Sequence, residues 1–221
     1  MGRSWPGFGR VSISEAIKMD FVEFPKMARY SREVIVTEKI DGTNAAVVIE
    51  DALLLDGPHK ACMPANAIAK VGNLNIYAQS RTRFITPEND NAGFARWVVE
   101  KAEQLVDLGP GRHFGEWFGS GIQRTYGLQE KRFALFNVSR WNDPSVRPLC
   151  CHVVPTLWHG KFSDLRADLV LGELALFGSQ AVPGFMRPEG IVVFHTAGNV
   201  GFKKTIEKDE VPKSVAQRQA A

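Results

Sequence analysis

The sequence contains few cysteines and no long apolar run. Its 221 residues include 3 cysteines, of which Cys62 stands alone whereas Cys150 and Cys151 are adjacent. This set has neither the spacing of a zinc site nor the even number of a disulfide framework. No stretch approaches the roughly 18 apolar residues of a transmembrane helix, and MGRSWPGFGR lacks the apolar core of a signal peptide. We therefore expect a cytoplasmic protein without a membrane partner.

Histidine spacing argues against a metalloprotease, and the net charge leaves nucleic-acid binding open. No two of the 5 histidines have the spacing of a metalloprotease site. The net charge of +3 is only mildly basic, so it permits nucleic-acid binding without indicating it. A hydrophobic content of 44% is enough for a substantial core at this chain length. We expect one domain that spans residues 1–221.

Apolar patterning predicts an α+β architecture. Helices are expected at 92–107, where GPG follows, and at 162–177, with Ser163 as the N-cap. Runs with strand character lie between them and around them: 33–37, 45–50, 113–118, 132–138, 151–157, 190–195 and 200–204. Such a series favours antiparallel sheets flanked by helices.

A lysine between two strand-like runs is the most informative feature. Residues 38–44 read EKIDGTN, with VIV before them and AAVVI after them. Lys39 would lie near a strand end before the Asp41–Gly42 turn, which would project its amine into a pocket. A free lysine amine has a pKa near ~10.4, so it becomes a nucleophile only when burial or nearby cations lower that value. Lys39 is the candidate covalent nucleophile, although the same string also fits a hairpin with a solvated lysine.

Further polar strings lie in or beside apolar strand patterns. They are QSRTRF at 79–84, HFGEWFGSGIQRTYGL at 113–128 followed by RFALFNV, PEGIVVFH at 188–195 and VGFKKT at 200–205. Together with EKIDGTN, and in this order, they resemble the motifs of the covalent nucleotidyltransferases, which include ATP-dependent RNA and DNA ligases and mRNA capping enzymes.

The resemblance is strongest to RNA ligases related to the second RNA ligase of phage T4. It depends on Gly42-Thr43-Asn44 after the nucleophile and on the Gly-Glu-aromatic-x-Gly-x-Gly-Ile-Gln string at 115–123. The family implies a nucleotidyltransferase fold, like that of the adenylation domains of ligases and related to ATP-grasp, with the nucleotide between two sheets. It also implies ATP and Mg²⁺ or Mn²⁺ as cofactors.

The resemblance implies a role for each matching residue. Lys39 would form the lysyl-AMP phosphoramidate, and Glu189 would help to hold the metal. The remaining residues would contact the nucleotide: Glu38 at the adenine edge, Asp41 and Asn44 at the phosphate, Arg81 at the sugar and the end to be sealed, Glu116 at the ribose hydroxyls, Phe136 stacked on the adenine, and Lys203 and Lys204 at the phosphates.

Several of these residues have other interpretations. Arg83 competes with Arg81 for the same role, and Glu116 could cap a neighbouring turn. Phe136 alternates with other apolar residues and, taken alone, fits a core position. Arg124 fits a functional residue and a solvated surface charge equally well.

The sequence departs from the family pattern at three places. Asn137 stands where many relatives have Asp, which puts a carboxylate contact there in doubt. Lys203 and Lys204 are adjacent, and neighbours on a strand face opposite ways, so we expect only Lys203 to enter the pocket. The sequence ends soon after these lysines, so no C-terminal OB or helical domain is expected. Sealing would then need a partner protein that supplies one, or would be confined to particular substrates.

These observations predict an ATP-dependent RNA ligase that joins a 5′-phosphate to a 3′-hydroxyl. Its substrates would be RNA ends, with DNA or hybrid ends as further candidates. A GTP-dependent capping guanylyltransferase and a DNA nick ligase are alternative enzymes, and an inactive nucleic-acid-binding module is the alternative of another class. The presence of Lys39, Glu116, Glu189 and Lys203 together favours an enzyme.

Overall fold

The chain forms two β-sheets, described from a computed structural model for residues 21, 23–54, 65–207 and 209. Cys62 and the N-terminal decapeptide lie outside these residues. In chain order the strands are β1 Glu33–Lys39, β2 Thr43–Asp51, β3 Ala69–Val71, β4 Leu74–Ser80, β5 Phe84–Ile85, β6 Gly111–Gly119, β7 Lys131–Leu135, β8 Cys151–Val153, β9 Thr156–Lys161, β10 Gly190–His195 and β11 Val200–Thr205.

The strands divide into a smaller and a larger sheet. The smaller sheet has the order β11-β10-β1-β9, and every pairing in it is antiparallel. The larger has the order β3-β4-β2-β6-β7-β8, with β5 also paired to β4, and its only parallel pairing among the described residues is β7 with β8. The tight turn between β1 and β2 takes the chain from one sheet to the other, so EKIDGTN lies where the two sheets meet.

The four α-helices of the described residues are short: α1 Phe94–Glu100, α2 Ala102–Leu105, α3 Val138–Trp141 and α4 Ala167–Phe177. Asp90 caps α1, because its carboxylate oxygens accept from the backbone N–H groups of Ala95 at 2.8 Å and Arg96 at 3.2 Å. None of the helices in the described part of the chain has the length and apolar character needed to cross a membrane.

Each sheet covers its own apolar core. Alternate residues of β2 (Ala45, Val47 and Ile49) face the aromatic cluster of Phe94, Trp117 and Phe133, all buried. In the smaller sheet, Val34 and Val36 of β1 and Ile191 and Val193 of β10 pack against Val170 and Leu174 of α4. The other faces of the two sheets share a third buried cluster, which includes Ile40 and Phe118, and beside it they line a cleft.

The predicted α+β composition is confirmed as a mixed, sheet-dominated fold with few helices. The helix predicted at 92–107 is present but breaks at Lys101 into α1 and α2, followed by a 3-10 turn. The prediction of Ser163 as an N-cap is wrong. Ser163 lies in a separate 3-10 turn, Leu165 is extended, and α4 begins only at Ala167 without a side-chain cap.

Two of the predicted strands differ from the observed ones by more than two residues at an end, and three strands were not predicted. The run at 132–138 ends at Leu135 because Asn137 caps α3, its Oδ1 accepting from the Arg140 N–H at 3.2 Å. The run at 151–157 contains Pro155, which has no N–H to donate, and it divides into β8 of the larger sheet and β9 of the smaller one. The strands missed were β3, β4 and β5.

Candidate active site

A cleft of about 900 Å³ lies between the two sheets and contains most of the residues singled out in the sequence. Its walls come from β1 and β10 on one side and from β2, β6 and the segment after β7 on the other. The predicted residues that line it are Glu38, Lys39, Asn44, Arg81, Glu116 and Phe136. A cleft of this size accommodates a nucleotide.

Lys39 is the last residue of β1, and its amine contacts a buried carboxylate. The distance from Lys39 Nζ to Glu189 Oε2 is 2.5 Å, and Glu189 is only 3% exposed. The two residues are 150 positions apart, and the antiparallel pairing of β1 with β10 brings them together, because Lys39 lies opposite Gly190. A Cβ at Gly190 would lie 2.2 Å from the Lys204 carbonyl oxygen of β11. The strands β10 and β11 therefore approach closely only because this residue is glycine.

Glu116 holds the turn that follows the nucleophile. Its Oε1 accepts from the Gly42 N–H at 3.1 Å and its Oε2 from Asn44 Nδ2 at 2.8 Å. Burial raises the pKa of Glu116 to about 7, an effect that the nearby Lys39 charge and these two hydrogen bonds oppose. The turn-capping interpretation of Glu116 therefore describes what the carboxylate does here, and its contact with ribose hydroxyls stays a prediction.

Gly42 allows this close approach. A Cβ at this position would lie 2.4 Å from the Trp117 carbonyl oxygen and 2.8 Å from Phe118 Cβ. Any larger residue would separate the turn from β6 and move Glu116 away from the Gly42 amide.

Asp41 is held by residues that follow β6. Arg124 Nε donates to Asp41 Oδ2 at 3.0 Å, and the hydroxyl oxygen of Tyr126 accepts from the Asp41 N–H at 2.7 Å. Burial raises the pKa of Tyr126, so its hydroxyl stays protonated. The predicted phosphate contact of Asp41 stays a prediction. Arg124 is not an isolated surface charge, since it forms an ion pair with Asp41.

Glu38 points away from its neighbour Lys39 and holds the segment after α4. It is 1% exposed, and its carboxylate accepts from Ser179 Oγ at 2.6 Å and from the backbone N–H groups of Gln180 at 2.8 Å and Ala181 at 2.9 Å. Burial raises the pKa of Glu38, and these three hydrogen bonds oppose that shift. Its predicted place beside an adenine edge stays a prediction.

Aromatic side chains are exposed along the cleft. Phe136, which follows β7, is 41% exposed, whereas Phe133 and Leu135 of the same run are buried on the other face. The core interpretation of Phe136 is therefore wrong. Phe114 and Phe194, from β6 and β10, also line the cleft and are 51% and 37% exposed. Exposed aromatic faces of this kind are surfaces on which a nucleobase can stack.

Some of the basic residues face the cleft, and others bind side chains outside it. Arg81 lines the cleft, whereas its competitor Arg83 donates to Asn89 Oδ1 at 3.0 Å. Lys203 lies opposite Val192, a cleft residue, and shares its face. Lys204 lies opposite Ile191 on the other face, and its Nζ contacts Asp168 of α4 at 2.6 Å. Lys203 and Lys204 therefore face opposite ways, as expected, and the nucleotide contact of either lysine stays a prediction.

A metal site made by the protein alone is not found among the described residues, where no group of three or more His, Cys, Asp or Glu side chains converges. The Lys39 amine contacts the Glu189 carboxylate and interacts electrostatically with the Glu116 carboxylate. This donor set suits Mg²⁺ or Mn²⁺, which bind through one or two carboxylates and take their other ligands from water and phosphate.

Several contributors to the site, among them Phe114, Tyr126 and Ser179, were not predicted from the sequence. Phe114 could have been found, because it shares a strand face with Glu116 at a spacing of two residues. Tyr126 and Ser179 could not, because each acts on a residue more than 80 positions away. No local pattern indicates such a contact.

Residues 32–208 match the family model of the RNA ligases. The chain belongs to the RNA ligase family. No curated protein sequence matches it significantly.

Two solved structures of the Naegleria gruberi RNA ligase have a similar fold. A variant solved with ATP and Mn has a TM-score of 0.53 and 19% identity, over 87% of this chain and 53% of that chain. A second variant, solved with AMP and Mn, has a TM-score of 0.50 and 20% identity, over 79% and 49%. The chain of this RNA ligase family member therefore spans about half the length of these relatives, and the similarity concerns the fold.

Proposed function

We propose that the protein is an ATP-dependent RNA ligase that joins a 5′-phosphate to a 3′-hydroxyl through a lysyl-AMP intermediate on Lys39. The observation that carries the proposal is the Lys39 amine, held 2.5 Å from the buried Glu189 at the wall of a nucleotide-sized cleft. Membership of the RNA ligase family and the ATP and AMP in the related Naegleria structures support the choice of nucleotide.

In the first step, Lys39 Nζ loses a proton and attacks the α-phosphorus of ATP. The bond between the α-phosphorus and the bridging β-oxygen breaks, and pyrophosphate leaves. Glu189 is the nearest carboxylate to the amine and would accept its proton. Phosphoryl-type transfer depends mainly on alignment and on charge neutralisation, which Lys203 and Arg81 would supply at the phosphates.

In the later steps, the RNA 5′-phosphate oxygen attacks the AMP phosphorus, and the phosphorus–nitrogen bond to Lys39 breaks. The lysine regains its proton, and the RNA then carries an AMP joined to its 5′-phosphate. The 3′-hydroxyl of the other end attacks this 5′-phosphate, loses its proton and releases AMP. Arg81, exposed where it lines the cleft, is placed to contact the RNA end.

The adenosine would lie in the cleft with its base on Phe136. Glu116 would receive the ribose hydroxyls, and Glu38 and Asn44 would flank the nucleotide as the family resemblance implies. Mg²⁺ or Mn²⁺, held by Glu189 together with water and phosphate oxygens, would neutralise charge on the phosphates. The nucleotide then lies between two sheets, as in the nucleotidyltransferase fold.

The test is covalent labelling of purified protein. The protein is stripped of bound AMP and incubated with Mg²⁺ and either α-labelled ATP or α-labelled GTP, and wild type is compared with Lys39→Ala on a denaturing gel. The proposal predicts label from ATP that the substitution removes. Labelling from GTP alone would indicate a capping guanylyltransferase instead, and absence of labelling would leave the binding module as the better interpretation.

The second measurement addresses the substrate. Matched nicked duplexes with an RNA, DNA or hybrid strand are incubated with labelled protein, and transfer of AMP to the 5′-end is followed. Faster transfer and sealing at RNA ends is expected. Preference for DNA on both sides of the nick would replace RNA ligase with DNA nick ligase.

A further inference from the structure

Arg124 joins the two segments that carry Lys39 and Glu189. Its Nε donates to Asp41 Oδ2 at 3.0 Å, shortly after Lys39 in the chain. Its Nη1 donates to the carbonyl oxygen of Arg187 at 3.0 Å, shortly before Glu189. One planar guanidinium therefore fixes the nucleophile turn relative to the segment that leads to the Glu189 carboxylate.

The surroundings of Arg124 are built to hold it in place. Its neighbour Tyr126 is 2% exposed and packs against Phe118 and Phe185, with ring centroids 5.3 and 4.6 Å apart. The Tyr126 hydroxyl binds the backbone N–H of Asp41, so the same turn is held twice. The Asp41 side chain is only 10% exposed, and the loss of its cationic partner would leave a partly buried charge without compensation from Arg124.

Arg124 does not line the cleft, although Lys39, two residues before its partner Asp41, does. It can therefore affect the reaction through the placement of other groups rather than through contact with a nucleotide. Arginine suits this function, because its planar fork directs separate N–H groups to Asp41 and to the Arg187 carbonyl, whereas lysine offers one point charge and glutamine none.

We propose that Arg124 is a positioning residue for AMP transfer to Lys39, and that it sets the placement of the Lys39 amine against the Glu189 carboxylate. This inference rests on the function proposed above. A displacement of about 1 Å between reacting groups can lower a rate about 100-fold, so the loss of either bond would slow the chemical step. The affinity for ATP would change little, because Arg124 lies outside the cleft.

The experiment measures single-turnover labelling of Lys39 at increasing ATP concentrations. The proteins are wild type, Arg124→Gln, Arg124→Lys and a matched control, Arg166→Gln, which replaces an exposed arginine before α4. Arg124→Gln should lower the rate constant at saturating ATP about 10- to 100-fold and change the half-saturating ATP concentration by less than about 3-fold. Arg124→Lys should recover part of the rate, and Arg166→Gln should match wild type.

Two results would overturn the inference. One is a wild-type rate constant in both Arg124 variants. The other is an increase in the half-saturating ATP concentration with an unchanged rate constant, which would make Arg124 a nucleotide-binding residue. Thermal unfolding of each variant is measured in parallel, and if Arg124→Gln does not fold, the same predictions apply to Arg124→Lys with a smaller loss of rate.

A second readout does not depend on ligase activity. Acetylation of Lys39 by an amine-reactive ester is followed by peptide mass spectrometry, with the exposed Lys70 as internal control. If Arg124 places Lys39 against Glu189, Arg124→Gln releases the amine and its acetylation becomes faster, while Lys70 is unaffected. Failure of wild type to label from ATP would reject the proposed function alone, whereas equal acetylation of Lys39 in wild type and variant would reject the inference.

Discussion

Lys39 and Glu38 are consecutive residues of β1 and both line the cleft, yet their side chains bind different parts of the molecule. Lys39 contacts Glu189 at the cleft, whereas the Glu38 carboxylate binds residues 179–181 after α4. The same division recurs on β11, where Lys203 shares the cleft face and Lys204 contacts Asp168 of α4. Because strand residues alternate between faces, one side of the sheet can carry chemistry while the other anchors the scaffold.

Replacement of Glu38 tests the scaffold side of this comparison, and its effect on the free energy of unfolding should be among the largest. Glu38→Ala removes the acceptor of three hydrogen bonds from buried or partly buried donors. Each unsatisfied donor costs about 1–3 kcal/mol, so the free energy of unfolding should fall by about 3–5 kcal/mol after partial access of water. Urea denaturation measures this change.

The control for Glu38 lies on the same strand. Glu33 at the start of β1 is exposed, with 65% of its side chain accessible, and Glu33→Ala should leave the urea midpoint almost unchanged. A loss of less than about 1 kcal/mol in Glu38→Ala would contradict the anchoring function, since a single ordinary hydrogen bond contributes about that much.

Replacement of the adjacent lysines tests the comparison directly. Lys203→Ala should lower the rate of AMP transfer about 100-fold, the size of effect found when one preorganised charge-stabilising donor is lost. Lys204→Ala should leave the rate within about 2-fold, because its ion pair with Asp168 is exposed and such pairs contribute little. Labelling with α-labelled ATP measures both rates, and equal losses in the two variants would show that the face assignment is wrong.

The sequence predicted the parts of the site that depend on local pattern. The Asp41–Gly42 turn, the place of Lys39 at a strand end and the opposite facing of Lys203 and Lys204 follow from residues close together in the chain. The α+β composition follows from the apolar periodicities, and the departures from it occur where local chemistry intervenes, as at Pro155 and Asn137.

The contacts between distant segments could not be predicted. Glu38 meets Ser179 across 141 residues, and Arg124 meets Asp41 across 83. Nothing in either segment indicates its partner, because the contact depends on how the two sheets pack. Turn capping by Glu116 was considered from the sequence, but which turn it caps, and which residues Glu38 binds, could not be identified locally.

The buried Glu116 carboxylate at the cleft should make the free energy of unfolding depend on pH. The pKa of Glu116 is raised from 4.5 to about 7, so between these values the folded state binds more protons than the unfolded state. Stability due to Glu116 is therefore greatest below about pH 4.5 and is lost as pH rises to about 7, a change of about 3 kcal/mol. Urea denaturation of wild type and Glu116→Gln between about pH 5 and pH 8 measures it.

The comparison with the variant isolates this carboxylate, because Glu38 and the other titrating groups are present in both proteins. Wild type should lose stability relative to Glu116→Gln as the pH rises. Parallel profiles would show that Glu116 has an ordinary pKa in the folded protein.

Phe136 and Phe133 lie on opposite faces of the larger sheet. Replacement of Phe136 should cause the smallest loss of activity, and replacement of Phe133 is its matched control. Phe136 is exposed at the cleft, so Phe136→Ala should raise the half-saturating ATP concentration about 10-fold through loss of base stacking, with little change in thermal unfolding. Phe133 is fully buried on the other face, so Phe133→Ala should destabilise the fold by about 3–5 kcal/mol. If Phe136→Ala instead lowers stability and leaves ATP dependence unchanged, Phe136 belongs to the scaffold, and the division of functions between faces holds only for the smaller sheet.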